Sequence, residues 1–151
     1  MGALALAFAA FLVTLVPASA DALDCLARNI YYEARGETEQ GQLAVAWVTM
    51  NRVASRDYPR TVCGVVYDTR HGIQFSWTVA RNRAPHGADW QQAQRIARGV
   101  LNGTIARSGV WANEDILFYH AAHVRGRTRA WFENNLDRVT QVGAHIFYAA
   151  P

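Results

Sequence analysis

A mostly helical α+β domain with a small β-sheet is the fold class this sequence predicts, on three observations. Two stretches, Leu23 to Ile30 and Trp90 to Leu101, carry apolar residues at helical spacing. Between them, Leu43-Ala44-Val45-Ala46-Trp47-Val48-Thr49-Met50 is apolar nearly all round, the pattern of a helix buried on several sides. Later, Ile116 to His120 and His145 to Tyr148 are short, aromatic and apolar or β-branched, which suits paired strands.

The elements follow in order. Residues 1–20 have no charged side chain, sixteen of them are hydrophobic, and they end Val16-Pro17-Ala18-Ser19-Ala20. An apolar core before a small-x-small tripeptide has the form of a signal peptide with its cleavage site. The expectation is a signal peptide at 1–20 and one domain at 21–151, exported to the periplasm or the extracellular space. No Lys or Arg precedes the apolar core, so an uncleaved anchor stays open. The run Ala3 to Val16 is shorter than the ~20 residues that span a bilayer. Asp21 to Arg35 then forms a helix, with Leu23, Leu26 and Ile30 on one side and Gly36 ending it. Thr38 caps a second helix from Glu39 to about Ser55. Pro59 opens a new element, Thr61 to Tyr67 is a short apolar helix, and His71 to Ala84 is a short strand or an ordered loop. Asp89 caps a third long helix through Leu101, closed by Gly103.

Composition narrows the function. Charged residues make up 18% and hydrophobic residues 51% of the 151-residue chain, which describes a folded protein. All fifteen basic residues are Arg, spread along the chain, and the net charge is only +3. That balance argues against nucleic acid as a partner and suits a polyanionic wall or membrane surface. A membrane contact is expected only through residues 1–20, if they are retained, and the domain is expected to be a monomer. Cys25 and Cys63 are an even pair, which in an exported protein suggests one disulfide. Two buried thiols are the alternative.

Glu33 is the most informative residue. At ~100° per residue it falls within about 20° of Leu26, on the apolar stripe of the first helix and in its last turn. A carboxylate there loses hydration and meets the negative end of the helix dipole, and both effects favour the protonated acid. Such an acid at a cleft edge can donate a proton to the leaving oxygen of a glycoside. The plainer alternative is a Glu that pairs with Arg28 or Arg35. Glu37 and Glu39 read as turn and helix-start carboxylates.

Tyr32-Glu33-Ala34-Arg35-Gly36-Glu37, Gly41-Gln42-x-Ala44-Val45-Ala46 and Asn51-Arg52-Val53 resemble the opening of the cell wall hydrolase family of the SleB/CwlJ type, named for spore-cortex-lytic enzymes. Tyr58-Pro59-x-Thr61-Val62-Cys63-Gly64-Val65-Val66-Tyr67 and Gln74-Phe75-Ser76-Trp77 are similar to its next two blocks. Phe118-Tyr119-His120-Ala121 and Gly143-x-His145-Ile146-Phe147-Tyr148 are similar to its closing blocks. The resemblance implies a lysozyme-like or lytic-transglycosylase-like domain that cleaves peptidoglycan glycan strands, with Glu33 as the catalytic acid. Two departures stand out. Related exported members often carry two more cysteines, at the positions of Ile73 and Val79, and Val124 to Trp131 lacks an expected proline.

One clear carboxylate shapes the chemistry. Ordinary glycoside hydrolysis uses two. In a lytic transglycosylase one Glu protonates the glycosidic oxygen and then accepts the proton of the sugar's own C6 hydroxyl, leaving a 1,6-anhydro-muramoyl end. That reading is preferred, with a hydrolytic muramidase using Asp68, Glu114 or Asp115 as its rival. Gln74 and Ser76 are expected either to hydrogen-bond the sugar or merely to hold their loop, Phe75 and Tyr119 to shape the groove, Trp77 to stack, and His120 to orient a groove residue. Phe147 and Tyr148 read as core. No cofactor or metal is expected, because His120 and His123 lack helical metal-pair spacing and no Cys-x-x-Cys or His-Glu-x-x-His accompanies them. A zinc amidase built on those histidines, with His71 and His86, and a wall-binding module without activity are the remaining alternatives. No nucleophile elbow supports a Ser-His-Asp hydrolase.

Overall fold

The computed structural model describes residues 19–151, so the expected signal peptide lies almost wholly outside the described residues. Five α-helices and a three-stranded sheet follow in the order α1 (Ala20–Ala34), α2 (Glu39–Ala54), α3 (Val62–Val66), α4 (Gly87–Leu101), β1 (Ile116–Ala121), α5 (Gly126–Asn135), β2 (Asp137–Val142) and β3 (His145–Ala149). Short 3-10 turns occupy Ser76–Thr78 and Gly109–Ala112. Among the described residues, no helix is long and apolar enough to cross a membrane.

The helix starts follow from side-chain caps. Ser19 accepts from the Ala22 amide, Thr38 from Gly41 and Thr61 from Gly64, each satisfying an amide that the first turn leaves free. α1 ends as expected, because Gly36 takes a left-handed φ of 84° that costs glycine nothing. α4 differs from expectation. It begins at Gly87, with His86 as a cap that makes no side-chain bond, and Asp89 lies inside the first turn. Gly87, at φ 72°, turns the chain before Asp89 can cap it, and Asp89 acts on the helix dipole instead.

α1 and α2 carry the core. Leu26, Ala27 and Ile30 of α1 meet Ala44 and Val48 of α2, Ile96 and Ala97 of α4, and Phe147 of β3, all nearly or fully buried. α2 is buried from Gly41 through Thr49, as its all-round apolar sequence requires. The Cys25–Cys63 disulfide ties α1 to α3. β1 and β3 pair antiparallel, with Tyr119 opposite Phe147 and His120 opposite Ile146. β3 is the central strand, and all five of its residues are buried.

Two elements have no counterpart in the sequence reading. α5 buries none of its residues fully, so it lacks the apolar stripe that announces a helix. β2 is an edge strand, rich in charged and polar residues, paired only with β3. His71 to Ala84 is an ordered loop around one 3-10 turn. Ile73 and Val79, where relatives often carry cysteines, are 57% and 66% exposed there.

Candidate active site

α1 delivers Glu33 to a cavity of about 530 Å³ that lies between the helices and the sheet. Arg52 of α2, Phe75 and Ser76 of the loop, and Tyr119 and His145 of the sheet share its lining. α5 closes the far side with Thr128 and Phe132. Among the described residues that line the cavity, Glu33 is the one carboxylate.

Burial holds the Glu33 carboxyl above the usual range. The Tyr119 hydroxyl, which donates to Glu33 Oε2 at 2.9 Å, and the charge of Arg52 both pull it down without cancelling the burial. The Tyr119 phenol is itself raised well above its ordinary value, first by burial and then by the charge of Glu33, so it remains a donor. His145 is lowered by burial, with Glu37 opposing and His120 and His123 reinforcing, and its ring stands edge-on to Tyr119 at 5.2 Å.

The other expected residues divide. Phe75 is fully buried and forms part of the floor, with the Arg52 guanidinium 5.4 Å from its ring centroid. Gln74 lines the cavity, but its amide donates to the His71 and Gly72 carbonyls and holds its own loop. Ser76 is exposed at the rim. His120 is buried: Nδ1 lies 2.8 Å from the Ala121 carbonyl and Nε2 lies 2.9 Å from the Tyr148 hydroxyl. The carbonyl can only accept, so Nδ1 carries the proton and Nε2 accepts from Tyr148. With both nitrogens engaged, His120 has no lone pair left for a metal. Among the described residues, no three of His, Cys, Asp and Glu gather as a metal-holding group.

Trp77 departs from the expectation of a stacking platform in the groove. It is absent from the lining of the Glu33 cavity. Its indole stacks on Tyr32 with centroids 4.8 Å apart, and its Nε1 donates to the buried Asn29 Oδ1 at 2.9 Å. Both partners come from α1, which claims the ring for packing. The three acids considered as a second carboxylate also lie elsewhere. Asp68 contacts His71 Nδ1 at 2.7 Å and Arg70 Nε at 3.3 Å. Burial pushes Asp68 upward, but the bonds from His71 and Arg70 outweigh it and hold the acid below its ordinary value. Glu114 and Asp115 line a separate cavity beside Asn51 and Leu117. Glu37 supports the turn between β2 and β3, where its Oε2 accepts from the Ala144 amide at 3.3 Å.

Sequence reasoning reaches Arg52 and His145 only as parts of motifs, and the structure brings both to the cavity. The available signal for Arg52 is a charged residue close behind an apolar helical run.

A helical α+β domain that sets one desolvated carboxyl over a groove is arranged to donate a proton there. The chain belongs to the cell wall hydrolase family, whose model matches residues 36–148; Glu33 lies just ahead of that match. The spore cortex-lytic enzyme of Bacillus cereus is 44% identical over 126 residues, covering 83% of this chain and 43% of the relative. That of Bacillus subtilis is 30% identical over 122 residues, covering 81% and 35%. The chain thus spans less than half the length of these curated relatives. Two solved structures match with a TM-score of 0.62. The catalytic domain of the germination-specific lytic transglycosylase SleB from Bacillus anthracis is 25% identical, covering 87% of this chain and 96% of that one. The catalytic domain of the Bacillus cereus SleB protein is 26% identical, covering 92% and 99%.

Proposed function

We propose that this chain is a peptidoglycan-degrading enzyme that cleaves the glycan strand between N-acetylmuramic acid and N-acetylglucosamine as a lytic transglycosylase, with Glu33 as acid and then base. The observation that carries the reading is the single carboxylate of the cavity, desolvated and held by Tyr119. Family membership and the likeness to a lytic transglycosylase catalytic domain support it.

Because Tyr119 donates to Oε2, the proton of the neutral acid sits on Oε1, free to meet the glycosidic oxygen. Protonation breaks the bond from C1 to that oxygen and leaves a carboxylate beside a sugar cation, which the N-acetyl group can help to stabilise. The C6 hydroxyl of the same sugar then attacks C1, and its proton returns to Glu33. A 1,6-anhydro end forms, no water is consumed, and no second carboxylate is required. Substrate contacts fall to Ser76, Gln74 and the Tyr119 ring, with Phe75 and His120 supporting them. The action is extracytoplasmic, at the wall, and the Cys25–Cys63 disulfide suits an oxidising compartment.

Mass spectrometry of the muropeptides released from purified sacculi tests the reading. Anhydro ends are about 18 mass units lighter than hydrolysed ones and resist borohydride, as expected for a route that spares one water. Glu33→Gln should lose at least ~100-fold in release while keeping its fold. Reducible muramic acid ends would replace transglycosylation by hydrolysis, and near-normal activity in folded Glu33→Gln would overturn the assignment of the acid.

A further inference from the structure

Arg52 is unexplained by these steps. It is only 5% exposed, on the last turn of α2, and it lines the same cavity as Glu33. Nε donates to the Leu117 carbonyl at 2.8 Å, and the guanidinium lies 5.3 Å from the Tyr58 ring centroid and 5.4 Å from that of Phe75. Nη1 is buried with no hydrogen-bond partner among the described residues. A buried cation without a paired carboxylate costs several kcal/mol, and an apolar side chain of like volume would fill the space without that cost. The nearby acid Asp68 is engaged by His71 and Arg70. Glu33 is the acid that faces the cavity from the neighbouring helix.

We propose that Arg52 is a positioning residue for Glu33, a fixed positive charge that stabilises the carboxylate while the acid has given up its proton. This rests on the reading of Glu33 as acid and base. Before the proton is given up, the guanidinium shares its cavity with an acid that burial biases toward its neutral form. Once the proton passes to the leaving oxygen, cation and carboxylate offset one another. When the C6 hydroxyl returns the proton, the resting charge is restored. The attraction exists only in the charged half of the cycle, so it lowers the barrier instead of tightening the ground state. The burial of Arg52 strengthens it, because its charge is screened less than one at the surface.

The charged and titratable groups around the pair are few. Glu33 meets Tyr119 from β1 and Arg52 from α2, and the cavity adds His145 from β3 and His120, which is spent on Tyr148. Arg52 in turn feels Tyr58, Tyr119, Glu33 and Asp68. None of the others supplies a permanent positive charge to the cavity that Glu33 lines.

The test is a pH–rate profile of muropeptide release from soluble glycan strands, from about pH 4 to pH 9, alongside strand binding. Arg52→Met should bind strands normally yet turn over roughly 10- to 100-fold more slowly, a share of the ~10²–10⁴ that a positioned acid contributes. Its alkaline limb should move to higher pH, because removing the cation lets Glu33 keep its proton longer. Arg52→Lys should recover at least about tenfold of the loss and restore the limb. Where Met fails to fold, Arg52→Gln keeps a donor for the Leu117 carbonyl while removing the charge, and it should show the same slow rate and shifted limb. A folded Met or Gln variant with wild-type rate and an unmoved limb overturns the proposal. So does a folded Lys variant as slow as its neutral counterparts. Loss of activity in Glu33→Gln combined with either result would sink Arg52 alone, whereas an active Glu33→Gln would sink the reading beneath it.

Discussion

Breaking the Cys25–Cys63 cross-link should lower stability sharply while sparing the chemistry. The bond closes a loop with a sequence separation of 38 between the first half of α1 and the short α3. In the chain-entropy model a loop of that length restricts the unfolded chain by roughly 4 kcal/mol at 25 °C. A domain of this size loses roughly 3–5 °C of melting temperature per kcal/mol, so the expected drop is roughly 12–20 °C. Cys25 is buried in the main core, so Cys25→Ala avoids burying a hydroxyl there, and Cys63→Ser suits the partly exposed partner. Glu33 lies at the opposite end of α1, with Tyr119 holding it from the sheet. Circular dichroism melts of the oxidised protein and the double variant measure the first effect, and turnover at about 20 °C, below either transition, measures the second. Melting points within about 3 °C of one another would refute the entropic reasoning. A large loss of turnover in a still-folded variant would show that the bond also shapes the cavity.

Two further predictions concern Glu33. Tyr119→Phe removes the donor to Oε2, which matters more to the carboxylate than to the neutral acid; a difference of about 1 kcal/mol predicts a roughly fivefold slower release, with the alkaline limb at higher pH. An unchanged rate and profile would deny Tyr119 that part. Glu33 binds its proton more tightly folded than unfolded, so stability falls as pH rises from the unfolded value through the folded one, and the full penalty applies above both. Glu33→Gln should therefore melt higher than the parent in neutral solution and approach it as acid is added, a pattern that parallel melts across pH would contradict if the gap were constant.

Much of this architecture is legible because hydrophobic period reports burial. α1, α2 and the β1–β3 pair each bury one face or more, and their apolar spacing says so. Glu33 is legible for the same reason, as a carboxylate on the buried side of α1. α5 is not, because a helix with no fully buried residue leaves no stripe to read. β2 is hidden by the same logic, as a polar edge strand held by backbone bonds to β3. Trp77 misleads because an irregular segment conceals its neighbours: Tyr32 and Asn29, from α1, are what hold it. Arg52 escapes notice because a charge at the end of an apolar helix resembles its solvated tip, whereas Leu117, Tyr58 and Phe75 enclose it.

The two sides of the groove are unequal in resilience. α1 lies against α2, α3 and α4, so its amides can open to solvent only when most of the domain comes apart. α5 contributes Thr128 and Phe132 to the same groove, yet it buries no residue fully, and its Trp131 is 51% exposed. Its backbone bonds therefore sit at the low end of the opening free energies, close to fraying. The groove therefore pairs a wall that keeps the acid in place with a flank that can yield.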